Sequence, residues 1–147
     1  MMQNHIAGEI LADAFLHYPL ICYAFDGHTT DQRSKGVHQL YTRCASAAGM
    51  YGGITIADDE RGALIWLPGK NSPLSLWQEL RSGMGAIPFV LGPRATLRLI
   101  NHDSVPEGWI RKQADEKMGY IWCLGVKAGE RGKGYSRILI DQSMTQM

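Results

Sequence analysis

Three cysteines are all this chain has, and Cys22, Cys44 and Cys123 stand far apart with no Cys-x-x-Cys spacing. Such a set fits neither a disulfide framework nor a cysteine-built zinc site, so reduced, intracellular thiols are expected. The five histidines are scattered without a His-x-x-x-His pair, and no metal site is expected. No segment approaches the roughly 18 uninterrupted apolar residues of a membrane span. An excess of one charge is missing as well. Fifteen Lys+Arg against fourteen Asp+Glu leave a formal charge of +1, which provides no global field for nucleic acid or an anionic membrane. The opening Met-Met-Gln-Asn-His has neither a basic n-region nor an apolar h-region, so no secretion signal is expected and the cytoplasm is the expected location. No repeat, linker or low-complexity segment interrupts the sequence. Its 147 residues read as one domain, 1–147, with an ordinary hydrophobic fraction of 45%.

Helical and strand periodicities alternate along the chain. Ile6, Ile10, Leu11 and Ala14 predict an amphipathic helix over residues 4–17, with Pro19 shortly after it. Asp26-Gly-His-Thr-Thr-Asp31 reads as a polar turn. Val37, Leu40, Tyr41, Cys44 and Ala48 then form a second helical stripe, expected to stop at Gly49. These helices are expected to cover a sheet. Residues 51–57 and 63–67 are β-rich runs whose five-residue connection, Asp58-Asp-Glu-Arg-Gly62, suits an antiparallel hairpin that Pro68-Gly69 ends. Trp66 is expected to supply core packing rather than a ligand contact. Leu74, Trp77, Leu80 and Arg81 predict a helix that breaks between Gly83 and Pro88, and Pro93 begins another. Ser104-Val-Pro-Glu107 reads as a capping box starting a further helix through Ala114. Gly119 closes it and opens a strand to Val126.

The richest stretch is Val126-Lys-Ala-Gly-Glu-Arg131-Gly-Lys-Gly-Tyr-Ser136, an apolar strand running into a basic, glycine-rich turn that opens a helix over 135–144. Glycines let successive backbone N–H groups turn inward, and a helix's first turn adds unsatisfied donors and a partial positive charge. A phosphate or pyrophosphate is the expected ligand group. A Walker A loop is excluded, because Lys127 occupies the first Gly position and Gly134 the place of the Mg²⁺-binding hydroxyl. A dinucleotide fingerprint fails at its third glycine, which is Arg137. A solvated turn punctuated by Gly and Lys is the plain alternative.

Arg131, Gly134 and Ser136 fill Arg/Gln-x-x-Gly-x-Gly/Ala, with Ser136 an imperfect last residue, and this resembles the acyl-CoA pyrophosphate loop of the GNAT superfamily of N-acetyltransferases. The strand Gly119–Val126 and the helix from Tyr135 resemble the family's fourth strand and following helix. Residues 14–20 resemble the end of its first helix, and residues 63–69 the third strand and its exit in one group of its sequences. The resemblance runs from about Asn4 onward. It implies acetyl-CoA as cosubstrate, with its diphosphate on the backbone of Arg131, Gly132, Lys133, Gly134, Tyr135 and Ser136, charge added by Arg131 and Lys133, and its pantetheine arm paired with Leu124, Gly125 and Val126. The Leu124 N–H is a candidate oxyanion donor. The implied reaction is direct transfer of an acetyl group to an amine of a small molecule or peptide.

The fifth strand, next helix and final hairpin of that family have no counterpart before Met147. The expected fold is therefore α/β (α+β), a GNAT-like mixed, mostly antiparallel sheet flanked by helices and lacking the C-terminal strands. The strand ending at Val126 would carry an open edge, which a homodimer is one way to cover. A truncated gene product, an expressed fragment and a domain completed by a second chain all fit. An inactive CoA-binding or partner-binding remnant is the alternative function; binding of nucleic-acid phosphate is a third, disfavoured by the neutral composition. No catalytic residue is assigned. Asp115 and Glu116 are expected to be solvated, Cys123 to be core, and Tyr120 and Trp122 to face either core or acceptor.

Overall fold

The computed structural model describes residues 1–147. Helix α1 (Met2–Phe15) buries Ile10, Leu11 and Ala14 of the expected stripe together with Ala7, and Ile6 is half-buried. A short α2 (Pro19–Ala24) follows, starting on proline, whose fixed φ suits the first helical position. Helix α3 (Thr30–Tyr51) begins at a capping box: the Thr29 hydroxyl accepts from the Gln32 N–H at 3.2 Å, and the Gln32 side chain accepts from the Thr29 N–H at 2.9 Å. Strands β1 (Gly53–Ile56) and β2 (Gly62–Pro68) form the expected antiparallel hairpin. Helices α4 (Leu76–Arg81), α5 (Ile87–Leu91) and α6 (Pro93–Gln113) lie between β2 and β3 (Gly119–Val126), and α7 (Tyr135–Met144) comes last.

The sheet is three-stranded and wholly antiparallel, in the order β1-β2-β3. This is a mixed α/β architecture, compatible with the α+β expectation. One face carries Ala63 and Ile65 into a core shared with α1 and α3, where Ile10, Leu11, Val37 and Ala45 are fully buried. The other face carries Leu64 and Leu124 against Leu139 of α7. The Ser143 hydroxyl of α7 lies 2.7 Å from the Leu139 carbonyl oxygen and 2.9 Å from the Thr55 hydroxyl of β1, so this helix is fastened to the sheet by polar as well as apolar contacts. No helix is long and apolar enough to cross a membrane.

Helices α1 and α3 run antiparallel in contact close enough to need glycine. A Cβ on Gly8 would stand 2.7 Å from the Thr42 Cα, and one on Gly49 would stand 2.7 Å from the Asn4 Oδ1. Gly49 therefore lies inside α3 and does not end it. The modest helix cost of a glycine is offset by the approach it allows, and the chain leaves the helix at Gly52 instead. Residues 93–113 also differ from expectation, forming one helix in place of two. The Ser104 hydroxyl donates to the Asn101 carbonyl at 2.9 Å rather than capping a new helix, and Pro106 lies within α6. All residues from Ile100 to Pro106 are exposed, so the carbonyl that proline leaves without its N–H partner can be hydrated.

Two glycine substitutions should move stability in opposite directions. Gly8→Val should destabilise the fold by about 1–3 kcal/mol through overpacking against the Thr42 backbone. Gly108→Ala, in α6 where an added Cβ meets nothing within 4 Å, should stabilise it by about 0.5–1 kcal/mol. Urea unfolding of both variants beside the parent chain measures the two shifts.

Candidate anion-binding site at the end of β3

Strand β3 is an edge strand, paired only with β2. Its register passes from Ile65↔Cys123 to Trp66↔Ile121, leaving Trp122 as the extra residue of a bulge. As a result Trp122 and Cys123 both pack against the α1/α3 core, where simple alternation would have separated them. Tyr120 is half-buried at the edge of a cleft of about 250 Å³, which it lines with Trp109, Ile110 and Met118.

The alternation downstream of the bulge is fixed by one bond. Lys127 N–H donates to the Arg61 carbonyl at 2.9 Å, just beyond the pairs Gly62↔Val126 and Ala63↔Gly125. In an antiparallel ladder, hydrogen-bonded and non-bonded pairs alternate. Cys123, Gly125 and Lys127 therefore present their N–H and C=O groups to β2, and Leu124 and Val126 turn theirs to the open edge. Gly125 serves the other side of the sheet: a Cβ there would stand 2.8 Å from the Ala14 Cβ and 3.0 Å from the Leu11 Cδ2, so its missing side chain admits α1. Of the three expected pantetheine partners, two face outward along the backbone.

Beyond Val126 a 3₁₀ turn, Ala128–Glu130, leads into the loop, and Gly134 is the N-cap of α7. Gly132 and Gly134 have φ of 80° and 85°, the left-handed region where glycine is favoured. The six consecutive N–H groups of Arg131, Gly132, Lys133, Gly134, Tyr135 and Ser136 donate to no other group of the chain, whereas Arg137 and Ile138 already bond back to the Gly134 carbonyl. A Cβ placed on Gly129, Gly132 or Gly134 would meet nothing within 4 Å, so there is open space beside these three glycines. An array of unspent donors at a helix start suits an anion.

The loop's cations are mostly committed elsewhere. The Arg131 guanidinium donates to the Ala14 carbonyl at 2.8 Å at the end of α1, and the Ala128 N–H donates to the Asp13 carboxylate at 3.2 Å. Arg131 thus anchors the loop to α1, where the sequence pattern had it adding charge to the ligand side. The Lys133 ammonium donates to Glu130 Oε2 at 2.7 Å, and Arg61 Nη1 donates to the same oxygen at 2.8 Å. These two cations hold the Glu130 carboxyl below its usual range. Arg61 Nε also meets the Asp59 carboxylate at 3.2 Å, and the Tyr135 hydroxyl donates to Asp59. That hydroxyl bond lowers the Asp59 carboxyl and raises the Tyr135 phenol.

No protein-family model matches the chain. Among curated proteins it is similar to an uncharacterized N-acetyltransferase of Schizosaccharomyces pombe, 27% identical over 143 residues, an alignment covering 92% of this chain and 56% of that protein. The chain thus spans little more than half the length of the curated relative it matches. The match agrees at a coarse level with the GNAT-like resemblance carried by the loop.

Cys123 offers no nucleophile. Burial, followed by the nearby Asp103 charge, pushes its thiol up to about 12, and burial likewise pushes the Cys44 thiol well up. At pH 8 the Cys123 side chain is therefore held as the thiol. Brief iodoacetamide treatment of the folded protein at pH 8, read by peptide mass spectrometry, should label Cys22 faster than Cys123, although both are half-buried, and leave the buried Cys44 unmodified until denaturant is added.

Proposed function

We propose that this domain binds acetyl-CoA and transfers its acetyl group to an amine. The observation that carries the reading is the row of six free N–H groups from Arg131 to Ser136 at the head of α7, immediately after a strand whose outer edge is open at Leu124 and Val126. A diphosphate is the anion whose length and charge suit a run of donors rather than a single one. A ligand with amide groups in its arm can continue from the loop along that edge as a short extra strand. Similarity to a protein named as an N-acetyltransferase supports the same reading.

In this reaction the amine nitrogen bonds to the thioester carbonyl carbon, and the carbon–sulfur bond breaks. The amine gives up a proton and the departing thiolate takes one. The chain's own contribution is to bind and orient. The loop holds the diphosphate, the Leu124 and Val126 backbone aligns the arm, and the outward Leu124 N–H is the candidate donor to the oxygen that becomes negative during attack. The acceptor is an amine of a small molecule or peptide, and no residue is assigned as proton carrier. The unpaired edge of β3 also favours a second reading, a CoA-binding domain without turnover whose edge is covered by another copy of the chain.

Calorimetric titration of the 147-residue chain with acetyl-CoA tests the proposal. Saturable binding is expected, and Gly134→Glu should weaken it by about 2 kcal/mol or more, roughly 30-fold, by placing bulk and negative charge over the donors. A cooperative thermal melt establishes that the variant is folded. Release of CoA from acetyl-CoA in a panel of amines separates turnover from mere binding, and sedimentation velocity reads the oligomeric state. A folded parent chain that binds no acetyl-CoA would sink the proposal.

A further inference from the structure

The β1–β2 turn lies about seventy positions before the loop in sequence, yet three of its side-chain contacts end on loop residues or on each other. Arg61 is the centre. Its guanidinium reaches Glu130 at 2.8 Å through Nη1 and Asp59 at 3.2 Å through Nε, a forked geometry that a lysine cannot reproduce. Asp59 accepts from the Tyr135 hydroxyl on the first turn of α7, and Glu130 accepts from Lys133 at 2.7 Å. The resulting chain, Tyr135–Asp59–Arg61–Glu130–Lys133, touches the loop at Glu130, Lys133 and Tyr135, so that its contacts at Glu130 and Tyr135 bracket the free N–H groups of Arg131, Gly132, Lys133 and Gly134. With Arg131 tied to Ala14 and Ala128 to Asp13, the loop is attached to two separate elements, α1 and the β1–β2 turn.

We propose that Asp59 and Arg61 of the β1–β2 turn are positioning residues of the anion site. They hold Glu130 and Tyr135 and so fix the segment that carries the intervening N–H groups, and Glu130 keeps Lys133 beside the loop until a diphosphate takes its ammonium. The inference rests on the loop being an anion site. Two positive and two negative side chains make the network neutral before a ligand arrives. The Lys133–Glu130 pair is the contact a ligand can break without disturbing the rest, because Arg61 stays on the same Glu130 oxygen. Exposed pairs of this kind contribute little to global stability, so their loss should be read at the loop and not in the melting temperature.

Two substitutions should act with opposite signs. Arg61→Ala detaches the loop from the turn and leaves Glu130 to Lys133 alone, and it should weaken CoA binding about 5- to 10-fold; Arg61→Lys, reaching one carboxylate only, should recover part of that loss. Glu130→Gln keeps an acceptor for Arg61, frees Lys133 and removes a negative charge, and it should tighten CoA binding about 3-fold. Inorganic pyrophosphate should follow the same order as CoA. In ¹⁵N–¹H spectra of the unliganded protein, Arg61→Ala and Tyr135→Phe should shift the Gly132 and Gly134 amide peaks while melting temperatures stay unchanged. A parent chain that binds neither CoA nor pyrophosphate would overturn the anion site and this inference together. A parent chain that binds both, beside Arg61→Ala and Glu130→Gln variants of unchanged affinity, would overturn the inference alone.

Discussion

The Lys127 N–H bond to the Arg61 carbonyl extends the β2–β3 pairing one step beyond the strand end, and the site depends on that extra step. It fixes the phase of the ladder, so Leu124 and Val126 face outward and Gly125 faces β2. It also brings Arg61 alongside the 3₁₀ turn at Ala128–Glu130, which is why its guanidinium can reach Glu130 at all. Backbone pairing sets the position, and the exposed ion pairs only refine it. The pairing in turn is held by what lies on either side of the sheet: Leu64, Leu124 and Leu139 on one face, and Ala63, Ile65, Leu11 and Ala14 on the other. A one-residue slip of β3 would turn Leu124 away from Leu139 and Gly125 away from α1.

Much of this architecture was legible because the strongest signals were local. A continuous apolar run marked β3 from Gly119 to Val126, and the loop helix began at Tyr135 as its glycine punctuation predicted. The hairpin needed only two apolar runs and a short polar connection. Capping boxes show where local signals mislead. Thr29…Gln32 and Ser75…Gln78 carry the same pattern as Ser104…Glu107, and both cap helices, whereas Ser104 lies within one. The difference lies upstream. Turn residues precede the first two, Gly27-His28 and Pro73-Leu74, while Ser104 follows a helix already running from Pro93 with nothing to stop it. Gly49 misled for the opposite reason, since its role is a contact with Asn4 forty-five positions away, which no local window contains.

The candidate site divides along the same line. The glycine spacing and the helix start could be read, because they are backbone properties of consecutive residues. The bulge at Trp122 could not, because it is a relation between β3 and β2. Nor could the destination of Arg131, which looks like a ligand contact in the motif but spends its guanidinium on the Ala14 carbonyl. Asp59 and Arg61 gave no sequence signal as part of the loop, since their partners Tyr135 and Glu130 are about seventy positions away.

The loop therefore reads as basic in sequence and is close to balanced in space. Arg131 is turned to α1, Lys133 and Arg61 share Glu130, and Arg61 also meets Asp59, so the attraction for an anion comes chiefly from aligned N–H dipoles and the start of α7. Such a site differs in kind from a polyelectrolyte surface. Nucleic acid is held by many cations whose counterions are released, which makes affinity fall steeply with salt. A cradle of backbone donors acts over hydrogen-bond distances and is screened far less. It selects for a compact anion that can take several short bonds at once, and a neutral chain with one open loop meets that requirement without the long-range field that it lacks.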